Sequence, residues 1–181
     1  KLYDLDINYY ARVNYNSLID VVDAIGGVEI NNPYEFGIPN TPYYFPKGII
    51  SLNGQQALSF IRERYSLPNG DEDRGKNQQR VLTAIIQKLL SEQFLKNYLP
   101  ILKSLSNSFI TNMPEDELSK FVKAQIDNLA QWTIKAISVS GEASMTTQSY
   151  SMPGQNISII IPNETTIQIA KEEIKRISTA N

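Results

Sequence analysis

Arg62-Glu63-Arg64-Tyr65-Ser66-Leu67-Pro68-Asn69-Gly70-Asp71-Glu72-Asp73-Arg74-Gly75-Lys76-Asn77-Gln78-Gln79-Arg80 links two apolar helical patterns and gathers five basic and four acidic side chains. Before it, Asn53 is placed to cap a helix through Gln55, Ala57, Leu58, Phe60 and Ile61 that ends near Arg64 or Tyr65. Ser66 to Gly70 reads as a loop. A long helix then starts near Asp73 or Arg74 and runs to about Leu90, carrying an apolar stripe of Val81, Leu82, Ile85 and Leu89.

Working outward from this stretch, strand and helix signals alternate. Asn14 to Ser17 precedes Leu18, Ile19, Val21, Val22 and Ile25 at helical spacing, and Gly26-Gly27 supplies a stop, so a helix is expected over about 15–25. Val28-Glu29-Ile30 reads as a short strand, and the Pro- and Asn-rich run from Asn31 to Pro46 as a loop. Its aromatics, Tyr34, Phe36, Tyr43, Tyr44 and Phe45, could line a groove, but packing over the core is the expected use. Further on, a helix is expected from about Phe94 to Leu105, and Pro114 with the acids after it opens another that ends near Ala130. Ile134 to Val139 and Ile157 to Ile161 are β-rich, and Asn163 to Ile177 returns to helix. The alternation makes the fold class α/β: one domain over residues 1–181, with a central β-sheet flanked by helices in a three-layer α-β-α arrangement.

Composition narrows the chemistry. The 181 residues contain neither cysteine nor histidine. Disulfides, thiolate nucleophiles, Cys-ligated zinc and every Ser-His or Cys-His arrangement are excluded. Catalysis has to run on carboxylates, Arg, Lys, Tyr or a hard cation, an inventory that suits phosphoryl transfer. With a net charge of -2 the chain offers no electrostatic footprint for a nucleic-acid backbone, so no nucleic-acid partner is expected. No stretch reaches the roughly 18 apolar residues of a membrane span, so any anchoring or targeting segment is expected upstream of Lys1.

Within residues 62–80, helical phase sorts the charges. At 100° per residue, Arg74 and Gln78 share a face with the apolar stripe, while Lys76 and Arg80 point away. Arg62 shares a face with Leu58, Ile61 and Tyr65. A buried guanidinium is costly without an anion, so two inward arginines on adjacent helices could clamp one phosphate, aided by the free N–H groups at the start of the long helix. In that reading the stripe suits a lipid tail. In the plainer reading the arginines pair with Asp71, Asp73 or Glu63 and the stripe is ordinary core; sequence physics leaves both open.

The order Gly26-Gly27-Val28, Leu52-Asn53-Gly54-Gln55-Gln56-Ala57-Leu58, Arg62-Glu63-Arg64 and Gly70-Asp71-Glu72-Asp73-Arg74-Gly75-Lys76-Asn77-Gln78-Gln79 resembles the LytR-CpsA-Psr family, in particular its streptococcal capsule-associated branch. The clear match runs from about Leu2 to Leu90. The resemblance implies a membrane-anchored enzyme at the extracellular face of the bacterial membrane that moves a polyprenyl-pyrophosphate-linked glycopolymer, such as capsule or teichoic acid, onto peptidoglycan. It implies that Arg62, Arg64, Arg74 and Gln78 bind the pyrophosphate and that Asp71 joins the arginines in catalysis; Val81, Leu82, Ile85 and Leu89, the apolar stripe beyond them, are expected from their position to form the lipid-tail pocket. A magnesium cofactor is implied as well, held by carboxylates upstream, so that this chain is an N-terminally incomplete catalytic domain with no metal ligand of its own. Two other functions compete: a module that binds polyprenyl phosphate or cell-wall polymer without turnover, and a transcriptional attenuator. The acidic balance and the lack of a basic recognition helix count against the last.

Overall fold

The computed structural model describes residues 3–95, 109–128 and 132–179. The chain divides into two compact units: Asn8–Ile134 forms one, and Lys1–Ile7 with Lys135–Asn181 forms the other.

In the larger unit, β1 (Ala11–Val13) leads into α1 (Tyr15–Ala24), whose first turn is capped by Asn14: its side chain accepts from the Ser17 N–H at 2.9 Å. Gly26 and Gly27 both have positive φ, and the Gly27 N–H reaches back to Val22 O at 2.7 Å, ending the helix as its sequence required. β2 (Val28–Asn32) pairs antiparallel with β5 (Gly48–Leu52) over its full length, placing Val28, Ile30 and Leu52 inward. Between them, β3 (Phe36–Gly37) and β4 (Tyr44–Phe45) form a small hairpin inside the expected loop. Phe36 and Phe45 pack with Phe60 at ring-centroid distances of 5.1–5.4 Å, so these two aromatics serve the core rather than a groove.

α2 (Gly54–Arg62) opens with a full capping box between Asn53 and Gln56. It ends two or three residues earlier than expected, because Glu63 leaves the helix at ψ 137° and turns its side chain inward to accept the Ser66 N–H at 2.7 Å. α3 (Asp71–Leu89) begins two to three residues earlier than expected. α4 (Glu92–Leu95) follows; the rest of the helix expected from Phe94 to Leu105 lies outside the described residues. β6 (Phe109–Thr111) pairs with β1, and α5 (Glu115–Asn128) matches the expected helix after Pro114, with Leu129 and Ala130 outside the described residues.

In the smaller unit, β7 (Gly141–Gln148) and β8 (Pro153–Pro162) form an antiparallel pair, followed by α6 (Glu164–Thr179). The expected strand at Ile134–Val139 is not formed among the described residues, while the polar segment after them, Gly141–Gln148, pairs with the Ile-rich β8 and becomes the strand. Pairing overrode propensity. The class is α/β, as expected. The single central sheet is not: among the described residues the strands form four separate antiparallel pairs, β1–β6, β2–β5, β3–β4 and β7–β8.

One close approach fixes how α1 meets α2. A Cβ at Gly54 would lie 2.5 Å from the carbonyl oxygen of Ile19, and the Gly54 N–H donates to Asp23 Oδ1 at 2.7 Å. Gly75, within α3, has nothing within 4 Å of such a Cβ. Gly54→Ala should therefore destabilise the fold by about 1–3 kcal/mol through overpacking, whereas Gly75→Ala should stabilise it by about 0.5–1 kcal/mol through helix propensity. Denaturant midpoints for the two variants would test this; a tolerated Gly54→Ala would show that the helices can separate at no cost.

Candidate functional site

The loop between α2 and α3 turns on two buried acids. Glu63, 7% exposed, holds its first half through Ser66, and Leu67 plugs the core beneath it. Asp73, fully buried, holds its second half: Oδ2 accepts both the backbone N–H and the side-chain N–H of Asn69, at 3.0 and 3.1 Å. The Lys76 ammonium lies 3.6 Å from Asp73 Oδ1 and 2.7 Å from Glu72 Oε1. Burial pushes the Asp73 carboxyl up, but the Asn69 hydrogen bonds and the Lys76 charge outweigh that and hold it below the ordinary carboxylate value.

These buried acids send the basic residues beside them outward. On α3 the buried ridge is Asp73, Asn77, Val81 and Ile85, one position round from the face expected at sequence level. Arg74 is half-buried and Gln78 exposed, so the expectation that both point into the interior is corrected. Arg62, expected inward on α2, is exposed as well, its guanidinium 5.0 Å above the Tyr15 ring. The physical reason is length. The short carboxylate and amide of Asp73 and Asn77 can reach loop backbone or the Arg80 guanidinium, which lies 2.7 Å from Asn77 Oδ1, while a long arginine stem carries its charge to the surface.

Three of the expected site residues come together around one carboxylate. Asp71 Oδ1 lies 2.6 Å from Arg74 Nη2 and 3.8 Å from Arg64 Nη1. Arg64 also donates to the Tyr65 hydroxyl at 2.9 Å. Gln78 Nε2 reaches the carbonyl of Ile61 at 3.4 Å, which puts its amide beside the α2 terminus next to Arg62. The plainer reading is thus met in part: Arg74 has an internal anion, and Val81 and Ile85 are closed core. The pair is solvent-accessible, with the Asp71 side chain 63% exposed, so an incoming phosphate can compete for both guanidiniums. The α3 N-terminus itself is met by Asp71, Glu72 and Asp73 in its first turn, so its positive dipole end is already matched by the protein's own acids.

The four residues expected to face a lipid tail separate. Val81 and Ile85 are buried in the core, Leu82 is 57% exposed, and Leu89 lines an apolar cavity of about 280 Å³. That cavity lies between the end of α3, α4 and α5, with Ile86, Phe94, Leu118, Phe121 and Trp132 among its walls. The ridge next to the buried one, Arg74, Gln78, Leu82, Ile86 and Leu90, runs at i, i+4 spacing from the arginine cluster to this cavity. Sequence reasoning missed Asn77 and Tyr15, and weighed Glu63 and Asp73 only as partners for the arginines, not as the buried acids that hold the loop. An acid in the third helical position after the Asn69-Gly70 turn was the available signal for Asp73.

No three-carboxylate or histidine cluster suited to a metal occurs among the described residues. Asp71, Glu72 and Asp73 each face a cationic side chain of the protein, so they do not fit the implied magnesium ion.

A family model described as the LytR_cpsA_psr family matches residues 1–175. Among curated proteins, the polyisoprenyl-teichoic acid--peptidoglycan teichoic acid transferase TagU of Enterococcus faecalis is 40% identical over 117 residues, covering 65% of this chain and 38% of that protein. The same-named protein of Bacillus cereus is 39% identical over 118 residues, with the same coverage. The chain spans 38% of the length of these relatives. Among solved structures, that of Bacillus subtilis TagU matches with a TM-score of 0.67 at 27% identity, covering 97% of this chain and 67% of that one.

Two outcomes follow from the geometry. Arg64→Ala and Arg74→Ala should each lower stability by less than about 1 kcal/mol, since accessible ion pairs contribute little; a large fall in the denaturant midpoint would make the cluster a structural device. Asp73 should act on the acid limb instead. Because its folded-state carboxyl is held low, its contribution is complete above the ordinary carboxylate range and is lost as pH falls through the lowered value, below about pH 4. Unfolding midpoints from pH 7 to pH 3 should fall less steeply in Asp73→Asn than in the parent.

Proposed function

The chain belongs to the LytR_cpsA_psr family, and from that premise we propose that it is the pyrophosphate- and lipid-binding part of a transferase that moves a polyprenyl-linked glycopolymer onto peptidoglycan. The observation that carries this reading is the convergence of Arg64 and Arg74 on the exposed Asp71, with Arg62 and Gln78 at the adjoining helix end. The printed name of the TagU relatives, which specifies polyisoprenyl-teichoic acid and peptidoglycan, supports the substrate class.

In this reading the pyrophosphate displaces Asp71 from the two guanidiniums and takes bidentate contacts in its place, with Arg62 and the Gln78 amide completing the cradle. A peptidoglycan hydroxyl attacks the sugar-bearing phosphorus. The new P–O bond forms as the P–O–P bridge breaks, and polyprenyl monophosphate leaves, its charge held by the arginines. Asp71, freed from the arginines, is the carboxylate beside the reacting group and takes the hydroxyl proton. The absence of His and Cys is no handicap, because positioning and charge neutralisation supply most of the acceleration in such a transfer. The magnesium ion expected from the family resemblance has no seat among the side chains described above.

The lipid tail runs over Leu82 into the apolar cavity at Ile86 and Leu89 rather than along Val81 and Ile85, which are already packed. Twelve residues of α3 separate Arg74 from Ile86, about 18 Å at 1.5 Å per residue, a distance that a long isoprenoid chain covers and a short phosphate ester does not. An attachment at the extracellular face of the membrane, through a segment outside this chain, fits such a substrate. No helix among the described residues is long and apolar enough to cross a membrane.

Binding of a long-chain polyprenyl pyrophosphate should be abolished by Arg74→Ala; unchanged affinity would remove the site from the arginines. Leu118→Trp, which fills part of the cavity, should weaken that ligand at least tenfold, about 1.4 kcal/mol, while leaving inorganic pyrophosphate binding unaltered. Equal loss of both ligands would place the tail elsewhere.

A further inference from the structure

We propose that Asp73 is a positioning residue for the arginine cluster: by holding both N–H groups of Asn69, it fixes the turn that presents Asp71 to Arg64 and Arg74. The proposal rests on the anion-binding reading above and goes beyond it by assigning a role to a buried acid that touches neither substrate nor arginine.

A carboxylate wholly removed from water is an unfavourable way to fill a core position. Asp73 sits at the head of the ridge that continues through Asn77 to Val81 and Ile85, where an apolar side chain would pack at lower cost. Its hydrogen bonding is also one-sided. Oδ2 takes both Asn69 donors, whereas Oδ1 has no hydrogen-bond partner and only the Lys76 ammonium 3.6 Å away. A side chain selected for stability alone would use both oxygens.

What the arrangement does achieve is local. Gly70, at the N-cap of α3 with φ +50°, has no side chain to cap the helix. Asp73 supplies the missing restraint from inside the first turn, bonding back to the residue before Gly70. Asn69 and Gly70 are thereby set, and Asp71 follows directly. Asp71 in turn lies 2.6 Å from Arg74 and 3.8 Å from Arg64, so a shift of the turn moves the carboxylate that holds these arginines together. Arginine side chains otherwise sample many rotamers, and ordering them beforehand removes that cost from ligand binding.

The test is a double-mutant cycle on the full chain, with geranylgeranyl pyrophosphate in detergent micelles as the probe. Asp73→Asn keeps the shape but loses the charge, and should weaken binding about tenfold. In an Asp71→Ala background, where the turn no longer governs the arginines, the same substitution should change affinity less than twofold. Equal losses in the two backgrounds would mean that Asp73 acts on stability alone, and would overturn the proposal. Should Asp73→Asn not fold, Asn69→Ala removes only the side-chain donor; it should weaken binding about threefold in the parent and leave the Asp71→Ala variant unmoved, and equal losses would again overturn it. Arg74→Ala serves as the control. If it binds the probe like the parent, the anion site itself is refuted, whereas loss in Arg74→Ala with none in Asp73→Asn or Asn69→Ala refutes the positioning role only.

Discussion

A negative charge with no access to water must be matched by donors, and in this chain that requirement shapes the junction between the two helices that carry the site. Asp73 draws Asn69 inward, and Glu63 does the same for Ser66. With both ends of the loop tied, Leu67 is pressed into the core and the backbone leaves α2 and enters α3 within eight residues. The arginines follow from this by geometry. Residues 62 and 64 flank the inward Glu63 and therefore face out, and Arg74 follows the inward Asp73. The acids are inside so that the bases can be outside, where a phosphate can reach them.

The paired motifs on the two helices were legible in the sequence because they obey local rules. Asn14, Asn53 and Gly26-Gly27 are capping signals whose physics lies within one turn, and each helix begins or ends where they stand. The gathering of Arg64, Asp71 and Arg74 was legible as well, through charge density and the family resemblance. The phase of α3 was not. Counting only apolar residues gives a stripe of Val81, Leu82, Ile85 and Leu89 that draws Arg74 and Gln78 inward; the buried ridge instead joins Val81 and Ile85 to Asp73 and Asn77, whose polarity conceals their position from any hydrophobic count. Strand pairing was the other blind spot. Gly141–Gln148 has little β propensity of its own and is a strand because β8 lies against it, a non-local fact.

A second asymmetry runs along α3. Its first two turns are rich in charge and amide groups, whereas its second half carries Val81, Leu82, Ala84, Ile85, Ile86 and Leu89 beside Gln87 and Lys88, so one rigid element has a polar head and a largely apolar far end. Val81 and Ile85 anchor the middle of that element in the core, which prevents the two ends from moving independently. The adjoining ridge stays exposed at Gln78 and Leu82 before it reaches the cavity at Ile86. A ligand held at both ends must therefore be amphipathic, and long enough to follow the helix for about 18 Å. Neither a free phosphate nor a purely apolar molecule meets both conditions. In the proposed reading, spacing along this one helix would favour a lipid-linked phosphate before any contact with a transferred sugar.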